Sequence, residues 1–122
     1  MTAKTRRTNQ GTIVEFRGAL TIGDGTLAVG DAMDRFIASC DDRILIDLSE
    51  VSALDSAGVR VLVQSALRAR DAGVPLGLVA GEAGRVRRVL DTLNLQACIP
   101  TYDNLASGLE CLAVEPAPRA TC

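Results

Sequence analysis

The chain of 122 residues contains no histidine and no tryptophan, and its aromatic residues are two phenylalanines and one tyrosine. Without histidine there is no His-based catalytic triad, no imidazole general base and no imidazole metal ligand. Thirteen basic residues stand against fifteen acidic ones, and few side chains are available to stack on bases. These absences give no sign of direct binding to nucleic acid.

Lysine is nearly absent too, since Lys4 is the only one in the chain. The turn at residues 23–25 is not followed by Lys-Ser or Lys-Thr, so it is not a phosphate-binding P-loop. Asp47 ends a predicted central strand, as the aspartate of a phosphoacceptor receiver domain does. However, the first strand lacks an acidic pair and the last carries no lysine, so Mg²⁺ and phosphate would lack their usual ligands. The sequence therefore argues against a receiver domain.

The four cysteines are Cys40, Cys98, Cys111 and Cys122, and none of them are spaced as CxxC. This spacing does not favour a zinc ribbon or a thioredoxin-type site. The pattern is typical of reduced intracellular thiols, and we expect Cys40 and Cys98 in or near the core. A redox switch stays open as the alternative.

No apolar run approaches about 18 residues, so no membrane insertion is expected. Residues 1–10 are basic but lack the apolar stretch of a signal peptide, and a cytoplasmic location follows by default. The length indicates one domain over residues 1–122. Within it, residues 1–10 and 115–122 are expected to be loose or edge segments.

Residues 43–72 are the most informative stretch because the period of their apolar residues changes. Residues 43–48 form a short apolar run, typical of a strand buried on both faces. From residue 59 onward the spacing is that of one helical face. This face consists of Val59, Leu62, Val63, Ala66 and Leu67. Asp55 and Ser56 lie at the predicted helix start, where either side chain could cap free backbone N–H groups.

Two interpretations of Ser56 stay open on these residues alone. In the first, Ser56 or Asp55 is only an N-cap, which is the commoner role of such a pair. In the second, the Ser56 hydroxyl accepts a phosphate. Its small neighbours, Ala57 and Gly58, leave room for an approaching enzyme, and the positive end of the helix dipole favours an anion there.

The segment Leu48-x-x-Val51-x-x-Leu54-Asp55-Ser56-Ala57-Gly58-Val59 resembles the phosphorylation-site segment of the anti-sigma-factor antagonists, in the STAS-domain family. The resemblance extends over residues 11–112. It implies that an anti-sigma-factor kinase phosphorylates Ser56. Two departures from the family pattern are visible. Ala57 replaces the usual Ser or Thr, and residues 18–21 lack the acids of the usual Gly-Glu-Leu-Asp, so that Asp24 is the nearest substitute.

The resemblance implies a phosphorylation-switched binding module. Its unphosphorylated form would dock on an anti-sigma-factor serine kinase and so release the sigma factor. The partner would supply ATP and Mg²⁺, so we expect this chain to hold no cofactor or metal and to catalyse no reaction. The implied docking residues are Asp24, Asp55, Ser56, Ala57, Gly58, Val59, Arg60 and Val61. Val61 is expected to point outward, because helical spacing turns it away from the apolar face.

The alternative is a structural STAS subunit or scaffold of a larger assembly, in signalling or lipid transport, with Ser56 not phosphorylated. On either interpretation we expect a monomer or a weak homodimer. An assay for phosphate on Ser56 distinguishes the two.

Strands and helices alternate along the chain. The predicted strands are residues 12–17, with a continuation to residue 20 left open, and residues 43–48, 76–80 and 97–99. The predicted helices are residues 26–40, 59–72 and 85–93, and a fourth after residue 103. Such alternation indicates a mostly parallel sheet with crossover helices. The resemblance adds an edge strand within residues 1–10. The predicted fold class is α/β, a single STAS-like domain with a mixed, mostly parallel sheet of four to five strands and about four helices.

The third predicted helix carries a basic cluster beside its apolar face. The cluster is Arg85, Arg87 and Arg88, and the apolar face is Val86, Val89, Leu90 and Leu93. Such a cluster is typical of a solvated helix face, and a contact site for an acidic partner is the minor alternative.

Overall fold

The structure is a computed structural model and describes residues 2–9, 11–22, 26–39, 43–81 and 84–113. Strands and helices alternate in it after an N-terminal hairpin. The strands are β1 (Thr2–Thr8), β2 (Gly11–Leu20), β3 (Ile44–Leu54), β4 (Leu76–Val79) and β5 (Thr101–Tyr102). The helices are α1 (Thr26–Ser39), α2 (Ser56–Ala72), α3 (Arg85–Thr92) and α4 (Leu105–Ala113), with a turn of 3-10 helix at Leu95–Ala97.

The five strands form one sheet in the order β1-β2-β3-β4-β5. β1 pairs with β2 in the antiparallel sense, and every later pair is parallel. The predicted fold class, a mixed and mostly parallel α/β sheet with four helices, is therefore confirmed. Because β2 to β5 are parallel, their carboxyl ends lie at one edge of the sheet, where α/β proteins commonly place their functional residues.

The core lies mainly between one face of the sheet and the helices α1, α2 and α3. Alternation along β2 sends Val14 and Phe16 into this core. α4 covers the other face, where Leu109 packs near Leu45 and Val79. None of the helices in the described ranges has the length and hydropathy needed to span a membrane.

α2 buries a face that is rotated from the predicted one. Its buried residues are Gly58, Val61, Leu62, Ser65 and Ala69. Leu67, predicted to face inward, is 38% exposed. The reason is that α2 packs against α1 as well as the sheet, so its buried face is set by two neighbours. The helix ends as predicted, with Gly73 in the left-handed conformation (φ 74°) as its C-cap.

The strand predicted at residues 97–99 is wrong. The chain instead forms the 3-10 turn at Leu95–Ala97, and β5 begins at Thr101. Leu95 and Ile99 are both buried, and the Ile99 N–H donates to the Leu95 carbonyl at 2.8 Å. The two buried residues are four positions apart, which is the spacing of a helical turn. The alternation of buried and exposed residues that identifies a strand is absent. Leu93, predicted to face inward, is 51% exposed just beyond the end of α3.

The cysteines differ in part from the expectation of reduced thiols. Cys98 is disulfide-bonded, so the expectation is wrong for this residue. Cys111 is a free, exposed thiol. Cys40 and Cys122 lie outside the described residues.

Candidate functional site

The candidate site lies where β2 and β3 end side by side. Leu20 and Leu54 are paired as the last residues of these two parallel strands. The chain leaves β2 into Thr21 and Ile22 and leaves β3 into α2. Two chain segments that are distant in sequence thus meet at the carboxyl edge of the sheet.

Asp55 is the N-cap of α2. Its backbone is extended, and its Oδ1 accepts hydrogen bonds from the N–H groups of Ala57 at 2.9 Å and Gly58 at 3.1 Å. The capping role left open between Asp55 and Ser56 therefore belongs to Asp55. An aspartate is among the best residues at this position because it satisfies donors that lack a partner within the helix.

The second carboxylate oxygen of Asp55 reaches across to the other segment. Oδ2 accepts a hydrogen bond from the backbone N–H of Ile22 at 2.9 Å. This bond, together with those from Gly58 and Ala57, holds the pKa of Asp55 below its ordinary value of 3.8, against a smaller opposing effect of desolvation. Asp55 is thus a charged link between the end of β2 and the start of α2.

Ser56 is the first residue of α2 and is exposed. Since Asp55 supplies the cap, the fold does not depend on the serine hydroxyl for this purpose. The hydroxyl lies at the positive end of a helix of 17 residues. Its position permits an approaching enzyme to reach it.

Gly58 fits the site through its lack of a side chain. A β-carbon at this position would lie 2.1 Å from the Leu20 carbonyl oxygen and 2.6 Å from a methyl carbon of Leu54. The first turn of α2 therefore lies directly on the ends of β2 and β3. Gly58 is buried, and it shapes the site without offering a contact surface.

The predicted docking residues differ in exposure, and two of them, Gly58 and Val61, are buried. Ser56 and Arg60 are exposed, and Asp55, Ala57 and Val59 are partly exposed. Asp24 lies outside the described residues.

Val61 was expected to point outward, and this is wrong: it is only 6% exposed and belongs to the main core. Its side chain faces α1, where a β-carbon on Gly30 would be 3.4 Å from it. The apolar spacing of α2 had predicted only the face toward the sheet.

Ile22 is a residue of the site that the sequence pattern did not mark. Its side chain is 81% exposed, and it follows a strand as a single apolar residue with no period to identify it. The only sequence signal for Ile22 is its position just after β2, the strand that pairs in parallel with β3.

The other acidic candidate, Asp47, is 4% exposed. Its carboxylate accepts hydrogen bonds from the backbone N–H and the hydroxyl of Ser49, at 2.9 and 2.6 Å. It is therefore a satisfied buried group, which agrees with the argument against a receiver domain. The described residues contain no group of three or more His, Cys, Asp or Glu side chains placed to hold a metal ion.

Fold and site together define a class of protein: a small α/β domain that presents an exposed serine on a capped helix start. The sequence matches the family model of the STAS domain over residues 2–108. The chain belongs to the STAS domain family. The resemblance noted in the sequence is thereby confirmed.

One relative is similar in sequence, and solved structures share the fold. The chain is 32% identical over 77 residues to a Thermotoga neapolitana protein named as a homologue of an anti-sigma factor antagonist, an alignment covering 63% of this chain and 67% of that protein. The crystal structure of an anti-sigma factor antagonist from Mycobacterium paratuberculosis has a TM-score of 0.79 at 23% identity, covering 91% of this chain and 92% of the other. The crystal structure of a Thermotoga maritima protein of the same description also has a TM-score of 0.79. It is 24% identical, and the match covers 90% of this chain and 93% of the other.

These structural likenesses establish the fold. STAS anti-sigma factor antagonists are regulatory modules without catalytic activity, in agreement with the prediction that this chain is not an enzyme.

Proposed function

We propose that this protein is an anti-sigma-factor antagonist that works as a phosphorylation-switched binding module in the cytoplasm. Its unphosphorylated form docks on an anti-sigma-factor serine kinase, which then releases the sigma factor. One observation carries the proposal: Ser56 is exposed at the first position of α2, while Asp55 takes the capping role. The serine is left for a partner to use.

The docking surface is defined by the exposed and partly exposed residues at the start of α2. These are Asp55, Ser56, Ala57, Val59 and Arg60. The surface combines a carboxylate, a hydroxyl, a small apolar area and a guanidinium. The kinase that binds this surface brings its own nucleotide and Mg²⁺ to the serine.

A phosphate on Ser56 would change this surface chiefly by its charge. It adds about −1.5 to −2 elementary charges at neutral pH. The N–H groups of Ala57 and Gly58 already bond to Asp55, so the new anion would stand beside a carboxylate that occupies those donors. In a closed interface this repulsion, with the desolvation of the phosphate, opposes binding.

Arg60 lies four residues after Ser56, on the same side of the helix, where i and i+4 side chains are neighbours. Its exposed guanidinium is available to a carboxylate of the partner before phosphorylation. After phosphorylation, the phosphate on Ser56 competes with the partner's carboxylate for this guanidinium. The switch thus needs no refolding of the domain.

The test uses purified protein with each anti-sigma-factor kinase encoded by the source organism, in the presence of ATP and Mg²⁺, followed by mass spectrometry of the peptides. We expect phosphate on Ser56 with one of these kinases, and none in Ser56→Ala. Ser52, which is also exposed, provides the matched control, because Ser52→Ala should be phosphorylated as the wild type is. A chain that receives no phosphate from any kinase would favour the scaffold role instead.

A further inference from the structure

The most exposed large apolar side chain in the described part of the chain belongs to Ile22. Its exposure is 81%, compared with 51% for Leu93 and 38% for Leu67. Covering an exposed apolar side chain with a partner's apolar surface lowers the free energy of the complex. Isolated exposed apolar residues are nevertheless common, so exposure alone does not mark a contact site.

The position of Ile22 distinguishes it from the other two. It comes two residues after Leu20, the last residue of β2, whose neighbour in β3 is Leu54. Both strands end at the same edge of the sheet. Ile22 therefore lies beside the start of α2, next to the docking surface.

The second distinguishing feature is that the backbone of Ile22 is held in place. Its N–H donates to Oδ2 of Asp55, a residue 33 positions away that directly precedes Ser56. A bond to an ionised carboxylate is stronger than one between neutral groups. A side chain on a pre-positioned backbone loses less conformational freedom on binding than one on a free loop.

We propose that Ile22 is the apolar anchor of the docking surface and that Asp55 is the residue that positions it. The inference rests on the proposed function and extends it to the partner. The occupant is the anti-sigma-factor kinase, which would cover Ile22 with an apolar pocket adjacent to the place where it receives Ser56. This adds an exposed apolar contact to the surface, because at the start of α2 Val59 is only partly exposed and Val61 is buried.

The experiment measures the affinity of the kinase for four forms of the full chain: wild type, Ile22→Ala, Asp55→Asn and Ile22→Ala/Asp55→Asn. Leu93→Ala is the matched control. Leu93 is an exposed apolar residue that directly follows α3. α3 begins after the carboxyl end of β4 and leads back toward the amino end of the next parallel strand. Leu93 therefore lies at the edge of the sheet opposite to the carboxyl ends of the strands.

Asparagine suits the test at position 55 because it separates the two roles of the aspartate. Its amide oxygen still caps α2, and asparagine is about as good a cap as aspartate. Its NH₂ group replaces Oδ2 and cannot accept the hydrogen bond from Ile22. The NMR signal of the Ile22 amide checks the loss of that bond without any partner.

We expect Ile22→Ala to weaken binding by about tenfold, as for a residue that carries a large share of an interface, and Leu93→Ala to leave it unchanged. Although Asp55 lies in the docking surface, both of its carboxylate oxygens already accept hydrogen bonds within the chain. Asp55→Asn should therefore weaken binding less than Ile22→Ala, shift the Ile22 amide signal, and add little in the Ile22→Ala background, because both changes act through one contact. An Ile22→Ala affinity within twofold of wild type would overturn the anchor role. An Asp55→Asn effect that persists in full in that background would overturn the positioning role.

The proposed function fails in a different way. If the wild-type chain binds none of the kinases, the docking proposal itself is wrong and the anchor role falls with it. If the wild type binds and Ile22→Ala binds equally well, only the anchor role is wrong.

Discussion

A β-carbon on Gly58 would lie 2.1 Å from the carbonyl oxygen of Leu20, so the first turn of α2 lies in direct contact with the end of β2. The contact is with backbone, which cannot rotate away as a side chain could. It fixes the position of Ser56 two residues earlier. The placement of the candidate site thus depends on the absence of a single methyl group.

Gly58→Ala is therefore expected to lower the free energy of unfolding by about 2 kcal/mol or more, because the helix start must shift to admit the methyl group. Urea denaturation measures the change. Gly81→Ala is the control, because no atom of the described residues lies within 4 Å of a β-carbon there and a change within about 0.5 kcal/mol is expected. Equal effects of the two substitutions would show that the contact at Gly58 is relaxed in solution.

Charge at position 56 should control the affinity for the kinase. We expect Ser56→Asp to weaken binding about 100-fold, which corresponds to about 2.7 kcal/mol, because it places a second anion beside Asp55. Ser56→Ala should bind as the wild type does. The measurement is calorimetric titration, with Ser52→Asp as a control for a negative charge on an exposed serine of β3. Equal affinities of wild type and Ser56→Asp would contradict the switch.

The stability of the protein should depend on pH through Asp55. Its pKa is lowered in the folded state, so the stabilisation it provides is fully present above its unfolded pKa near 3.8 and is lost as the pH falls through the folded value. We expect wild type to be more stable than Asp55→Asn at pH 7, with the difference shrinking as the pH is lowered below about 4.

Thermal or urea unfolding of both proteins at several pH values measures this difference. Asp71→Asn, a change at an exposed aspartate near the other end of α2, corrects for the loss of one carboxylate. A difference between wild type and Asp55→Asn that stays constant down to pH 2 would contradict the assigned bond to Ile22.

Arg87 joins α3 to the ends of β4 and β5. Its Nη1 donates to the Ala80 carbonyl and to the Asp103 carboxylate, both at 2.9 Å, and its side chain is only 14% exposed. Arg87→Met, which keeps most of the aliphatic stem, should lower the free energy of unfolding by about 2 kcal/mol. Arg88→Met, at an exposed position, should change it by less than about 0.5 kcal/mol.

The two Arg substitutions also separate a structural from a surface role. The sequence had grouped Arg85, Arg87 and Arg88 as a solvated face, and the structure places only the first and last of them in that role. If Arg88→Met destabilised the protein as much as Arg87→Met, the ion pair with Asp103 would not explain the effect.

The sequence predicted those parts of the site that depend on local chemistry. An aspartate and a serine before a helical apolar period identify a helix start, and Gly73 identifies its end, because caps act on backbone groups a few residues away. Parallel order followed from the alternation of strands and helices. The exposed position of Ser56 followed from the same local signals.

The burial of Val61 and the role of Ile22 could not be predicted in this way. The period of α2 shows where an apolar face exists but not which neighbours cover the helix, and α1 covers a second side of it. The bond between Ile22 and Asp55 joins residues on different loops, which only the pairing of β2 with β3 brings together. The turn at Leu95–Ala97 was missed because the apolar run at residues 97–99 is too short to distinguish a strand from a helical turn.

The order of strands in the sheet is the order of strands in the chain. Each strand pairs only with its neighbours in sequence, which keeps the loops to be closed short for a mostly parallel sheet. The hairpin of β1 and β2 can form first, and each further strand can add to the open side as it leaves the ribosome. Pulse-labelled hydrogen exchange would detect this order as protection that spreads from β2 toward β5. In such a sequence the bond from Ile22 to Asp55 forms only after β3 has paired with β2. The proposed docking surface would then be complete once β2, β3 and α2 have assembled, ahead of β4 and β5.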